Sequence, residues 1–251
     1  MDNALDKWRD DGRSLSPERK RIKEALALLG HEEMREARRA AGRLIVAVDL
    51  TGSREHSLLQ SRLAMAAMFD TIKAVGTVAV KLVYYRGSNE CRASQWHSDP
   101  DILSRYMQRL SCEGGPTQIA RVLRHALAEK EPVAGVVFVG DHCEDDPSEL
   151  CKLAAALGER TMPLFVFHEC ADHDERTLKA KPIFEFMAQA SGGVYAEFKP
   201  DSGTVLREML SNVGAFAAAG PEGVRQVAVP KTPEAQQLQG RLRLMLGPAS
   251  E

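Results

Sequence analysis

What the sequence lacks narrows it first. Five cysteines in 251 residues are few and odd in number, which excludes a fully paired disulfide framework. The expectation is a reduced, cytoplasmic chain. Charge of one sign is missing too: 33 basic residues stand against 35 acidic ones, a net charge of −2. Neither nucleic acid nor an anionic membrane surface is expected as a partner. No run approaches the ~18 to 20 apolar residues of a membrane span. The opening residues, MDNALDKWRDDGR, lack the apolar stretch of a signal peptide. No GxGxxG or P-loop pattern follows a strand, which removes the usual nucleotide sites. GxSxG is absent as well, and with it the serine-hydrolase elbow.

What is present is ordinary in bulk and specific in pattern. Apolar residues make up 44% and charged residues 27%, the composition of a globular protein. The length suits one large α/β domain with extensions, or two small domains. Residues 1–42 are charge-rich and read as a helical extension. Ser16-Pro17 is a start signal, Ile22, Leu26 and Leu29 share one face, and Gly30 can end the helix. That stripe is expected to rest on the following domain. From residue 43 apolar strands alternate with helical segments. RLIVAVDL is a strand, followed by a helix to about Val75 in which Leu59, Leu63, Ala66, Phe69 and Ile72 keep helical spacing. TVAVKLVYYR and CRASQWHS read as a hairpin with an antiparallel edge strand. AGVVFVGD and PLFVFHE are near-continuous apolar strands, as expected where both sheet faces are covered. PIFEFMAQASGG and GTVLREMLSNVGAFAAAG are helices flanking a short strand, VYAEF. The fold class expected is α/β: a doubly wound, mostly parallel sheet with one antiparallel edge strand and helices on both faces, Rossmann-like. The domain spans 43–220. Residues 221–251 read as a tail, most of it a surface strap or disordered.

In such sheets ligands sit outside the carboxyl ends of the strands. The first strand ends at Asp49, with Thr51 and Ser53 beyond it. AGVVFVGD ends at Asp141, and a glycine turn before a helix carries Thr117. Two carboxylates and three hydroxyls are therefore expected on one rim. Hard cations choose oxygen ligands, and magnesium is usually held by one or two carboxylates with water completing its octahedron. A cation would also remove the repulsion between two facing aspartates. Taken alone, Asp49 and Thr51 admit a plainer role as helix caps.

These residues resemble those of the von Willebrand factor type A (VWA) family. Its metal-ion-dependent adhesion site combines Asp-x-Ser-x-Ser with a separate threonine and a separate aspartate. Here the first element is Asp49-Leu50-Thr51-Gly52-Ser53, with threonine in place of the commoner serine. Thr117 in GGPTQIARVL and Asp141 in VVFVGDH match the other two, with His142 in place of the glycine that usually follows the aspartate. The resemblance covers about 43–220. It implies that Asp49, Thr51, Ser53, Thr117 and Asp141 hold Mg2+ (or Mn2+ or Ca2+), directly or through water. One coordination position would then stay open for an Asp or Glu carboxylate of a protein partner. Gly52 is expected to let the backbone turn between the ligands. The implied function is a non-enzymatic binding module, an adaptor or scaffold, and relatives of this kind include components of assemblies with AAA+ ATPases.

The alternative is a Mg-dependent phosphatase-like hydrolase. A resemblance to the haloacid-dehalogenase type would imply Asp-x-Asp-x-Thr at the end of strand one, with the second aspartate as general acid, and Thr51 stands at that position. Among other motifs, HECADHDE with His142 and Cys143 suggests either a zinc or redox site or a polar rim loop. Asp145 and Asp146 would recruit cation, or cap a helix in a solvated loop. Tyr84 and Tyr85 read as sheet and core residues.

Overall fold

The computed structural model describes residues 42–171 and 174–245. The helical extension expected over 1–42 lies outside these, apart from Gly42. Six strands form one sheet: β1 (Gly42–Asp49), β2 (Val78–Arg86), β3 (Glu90–Ala93), β4 (Gly135–Gly140), β5 (Leu164–Glu169) and β6 (Tyr195–Phe198), in the order β3-β2-β1-β4-β5-β6. All neighbours are parallel except β2 and β3. The hairpin and edge strand are thus where the sequence placed them.

The central strands are apolar over most of their length because each feeds two cores. Leu44, Val46 and Val48 point into one cluster, and Ile45 and Ala47 into the other, the two-residue alternation of a strand. The first core is closed by α1 (Leu58–Val75), α6 (Gly203–Gln226) and α7 (Pro233–Leu242). The second is closed by α3 (Ile119–Leu127), α4 (Pro147–Glu159) and α5 (Glu175–Ala190). The short α2 (Pro100–Gln108) leads into the loop that carries Thr117.

The structure corrects the sequence reading at four points. In α1 the buried face is Leu58, Ser61, Ala64, Met65, Met68, Phe69 and Ile72, while Leu59 and Leu63 are 60% and 55% exposed. Successive three-residue steps each turn only about 300°, so the stripe inferred from Leu59 onwards drifts round the helix. Helix α5 begins at Glu175 rather than at Pro182, which sits inside it. Asp174 starts this helix by accepting the Arg176 N–H at 2.9 Å. The boundary expected at 220 falls within α6, at a kink where Ala219 and Gly220 leave helical geometry. Beyond it, α7 buries Ala235, Leu238 and Leu242. Its connector is fastened by the Glu208 carboxylate, which accepts from Lys231 N, Thr232 N and Thr232 Oγ1. Finally, Gly52 has no positive φ, and a Cβ there would meet only Gly114 Cα at 3.4 Å, so no left-handed turn explains it. The close approach is at Gly115, where a Cβ would lie 2.1 Å from the Gly87 carbonyl oxygen.

Candidate metal centre

The chain leaves β1 through α1 to reach β2 on one side, whereas β4 lies on the other side of β1. This change of direction opens a crevice at the carboxyl ends of β1 and β4. Asp49 ends β1 and Asp141 follows β4 directly, so the two carboxylates flank the crevice. Both are buried, at 0% and 6% exposure.

Asp49 is held from two sides. Its Oδ1 accepts the Thr51 N–H at 2.8 Å, and its Oδ2 accepts the Tyr85 hydroxyl at 2.8 Å. Burial, and then the charge of Asp141, push its pKa up to about 6, against the pull of Thr51 and Arg54. The Tyr85 hydroxyl is driven well above its ordinary value by burial and by Asp49, with Asp145 and Asp141 adding to the effect. Three carboxylate fields therefore act on one buried phenol. Asp141 Oδ1 has no hydrogen-bond partner among the described residues, although it is buried. Its Oδ2 lies 3.5 Å from His142 Nδ1, and His142 Nε2 lies 2.9 Å from Asp174 Oδ2. His142 adopts no positive φ, so the histidine fits without backbone strain, and its Nε2 ties it to Asp174.

Thr51 and Ser53 stand together, with hydroxyl oxygens 3.2 Å apart. Thr51 precedes the 3-10 turn Gly52–Ser57, yet its side chain makes no capping bond there, so the plain helix-cap role is not what it performs. Thr117 is placed by a different loop. Its N–H donates to Glu144 Oε2 at 2.8 Å, its hydroxyl donates to Asp145 Oδ2 at 2.8 Å, and its Oγ1 accepts the Glu144 N–H at 2.8 Å. The loops are tied to one another through Glu113, whose N–H donates to Leu50 O and whose carbonyl accepts the Gly87 N–H. Asp49 and Asp141 thus flank the crevice, Thr51 and Ser53 are tied to each other just after β1, and Thr117 sits in the clasp that joins its loop to the one after β4.

Two features escaped the sequence reading. Arg54, directly after Ser53, is 1% exposed and ion-paired with Glu169, which is 2% exposed at the end of β5. Arg54 also donates to Ser61 Oγ at 3.1 Å, and His56 Nε2 lies 3.3 Å from Glu169 Oε1. A charged residue is normally assigned to the surface, and only the coincidence of an arginine in the loop and a glutamate on the rim hinted otherwise. The second feature is the Glu144–Asp145 clasp itself.

Among its described residues the His/Cys motif does not assemble. Among the described residues no group of three or more His, Cys, Asp or Glu side chains could hold a metal ion; Asp172 and His173 lie outside them. His168 is fully buried, and its Nε2 donates to the Asp141 carbonyl at 3.0 Å while Nδ1 faces the Tyr195 hydroxyl at 2.8 Å. Burial pushes its pKa down to about 4. It therefore supports the backbone beneath Asp141 as a neutral ring.

The donor set at the crevice fits a hard divalent cation: two carboxylates, neighbouring hydroxyls, and one buried carboxylate oxygen with no partner.

No protein-family model and no curated protein matches the sequence. Solved structures do match. A von Willebrand factor type A protein from Catenulispora acidiphila is 15% identical with a TM-score of 0.59, covering 72% of this chain and 43% of its own. This chain thus spans less than half of that protein. BatB from Bacteroides thetaiotaomicron gives 13% identity and a TM-score of 0.54, over 68% of this chain and 97% of its own. The SpRpn10 VWA domain gives 13% and 0.53, over 69% and 95%. These likenesses show the fold: a VWA-type, mostly parallel sheet with one antiparallel edge strand. Among the described residues no helix is long and apolar enough to cross a membrane.

Proposed function

We propose that this VWA-type fold is a protein-binding module whose contact point is a divalent cation. The single observation that carries the reading is the buried Asp49–Asp141 pair, with Asp141 Oδ1 left unpartnered at the switch point. Two facing carboxylates in a buried crevice repel one another, and Mg2+ or Mn2+ supplies the charge that relieves this. Asp49 and Asp141 would anchor the ion, with the Thr51, Ser53 and Thr117 hydroxyls as neutral oxygen donors. The hydroxyls add no negative charge beyond that of the two aspartates, which leaves the ion able to accept one further oxygen ligand, and the fitting partner is a protein offering an Asp or Glu side chain. The chain's own part is to preorganise the loops. Tyr85 and the Thr51 N–H fix Asp49, His168 holds the Asp141 carbonyl, and the Arg54–Glu169 pair pins the turn after Ser53 to β5. The hydrolase alternative, a phosphatase of the haloacid-dehalogenase type, would need a second aspartate where Thr51 stands.

Calorimetric titration of metal-free protein with Mn2+ tests the reading. One-site binding is expected in the wild type and its loss in Asp141→Ala, with the far-ultraviolet circular dichroism unchanged. Wild-type protein that takes up no Mn2+ at millimolar concentration, or equal binding by the variant, would overturn it.

A further inference from the structure

Asp145 lies outside the adhesion-site pattern, yet its carboxylate is more heavily used than either aspartate in that pattern. Oδ2 accepts the Thr117 hydroxyl at 2.8 Å and the Ile119 N–H at 3.0 Å, and Oδ1 accepts the Ala120 N–H at 2.9 Å. The last two donors belong to the first residues of α3, so a residue from the loop after β4 closes the start of a helix that follows a different loop. The neighbouring Asp146 does the ordinary thing. It caps its own helix, α4, by accepting from Ser148 N and Glu149 N at 3.3 Å each. Asp145 also belongs to the site electrostatically, since its field joins those of Asp49 and Asp141 on the Tyr85 hydroxyl.

The consequence for Thr117 follows from donor and acceptor bookkeeping. A threonine hydroxyl has one proton and two lone pairs. Asp145 takes the proton, and the Glu144 N–H takes one lone pair. One lone pair remains, on an oxygen whose electron density is raised by donation to a carboxylate. A hydroxyl free to rotate could instead turn its proton towards a cation and repel it.

We propose that Asp145 is the positioning residue that makes Thr117 a cation ligand, and that it does so by binding the Thr117 hydroxyl and the α3 N-terminus with one carboxylate. The inference rests on the metal-site reading above. Three donors occupy three of the four lone-pair positions of the Asp145 carboxylate; in this proposal it acts through Thr117, and the double variant below separates that role from direct ligation. Partners that orient metal ligands typically govern 10- to 100-fold in affinity.

The test is Mn2+ affinity, by calorimetry, in wild type, Asp145→Asn, Thr117→Val, the double variant, and Asp146→Ala. Urea midpoints in chelator are read alongside to follow the fold without metal. Asp145→Asn is expected to weaken Mn2+ about 10-fold or more, and to weaken it no further once Thr117 is valine. Asp146→Ala, which removes an equivalent cap that touches no site residue, is expected to lower the urea midpoint and leave Mn2+ affinity unchanged. Wild-type affinity in Asp145→Asn would overturn the inference while leaving the metal reading intact. So would an undiminished effect in the Thr117→Val background, since loss of charge or of a cap acts without Thr117. Should Asp145→Asn fail to fold, Thr117→Val still decides, because it keeps the cap and removes the hydroxyl. Wild-type binding retained in that variant overturns the proposal. A wild type that binds no Mn2+ overturns both readings.

Discussion

Asp49 shows how much a single buried carboxylate costs the cation-free molecule. Its carboxyl is pushed up to about 6 in the fold, from an ordinary 3.8. A group whose native pKa is raised binds its proton more tightly when folded, so an acid of this kind destabilises the native state once it ionises. The penalty is absent below pH 4, grows as pH rises from 4 to 6, and is complete above 6. Two units correspond to about 3 kcal/mol. The raw pH profile would hide this, because His168, lowered to about 4 from 6.5, works in the opposite direction. Protonating it costs stability as pH falls from 6.5 to 4, by a similar amount. The comparison that isolates Asp49 is therefore with Asp49→Asn, which keeps an acceptor for the Thr51 N–H. In chelator, urea unfolding at pH 7 is expected to show the variant more stable by about 3 kcal/mol, and that advantage should vanish at pH 4. A difference between the two proteins that stays constant from pH 4 to 7 would show that Asp49 is not held above its ordinary range.

At the scale of the elements, α7 separates what packing decides from what local pattern reveals. Ala235, Leu238 and Leu242 are fully buried against the core that lies over β1. Leu238→Ala is expected to cost about 2 to 5 kcal/mol in urea unfolding, the range for a leucine removed from a core. A surface strap would register within about 0.5 kcal/mol, and a loss that small would contradict the packing. The sequence hid this helix because three apolar residues among PEAQQLQGRL carry too little periodic signal to announce burial. The central strands hid nothing. Between Leu44 and Val48 in β1 and throughout GVVFVG in β4 both faces are covered, so burial leaves no polar side chain there and each run declares itself. In α1 the existence of the helix was legible but its phase was not, since leucines at 59 and 63 compete with the true face at 58, 65 and 68. The five proposed ligands were legible because they fall at strand ends and helix starts, where local signals are strongest. Arg54–Glu169 and the Asp145 clasp were not, because each joins residues far apart in sequence and only the three-dimensional arrangement brings them into contact.

Across the whole molecule, the proposed ligands run from residue 49 to residue 141 and are delivered by separate loops. The unfolded chain disperses them, so a cation that binds this site binds the native state alone. Binding of that kind stabilises by mass action: at one hundred times the dissociation constant it contributes about 2.7 kcal/mol. For a chain of this size each kcal/mol moves the midpoint by about 2 to 4 °C, giving an expected rise of about 5 to 11 °C. Saturating Mn2+ should produce that rise in the wild type and none in Asp141→Asn, read by thermal unfolding in matched ionic strength. The variant matters because divalent salts also screen surface charge, and screening acts on both proteins alike. A shift of equal size in both would mean that the ion acts on the general surface, and that the crevice between β1 and β4 takes no part.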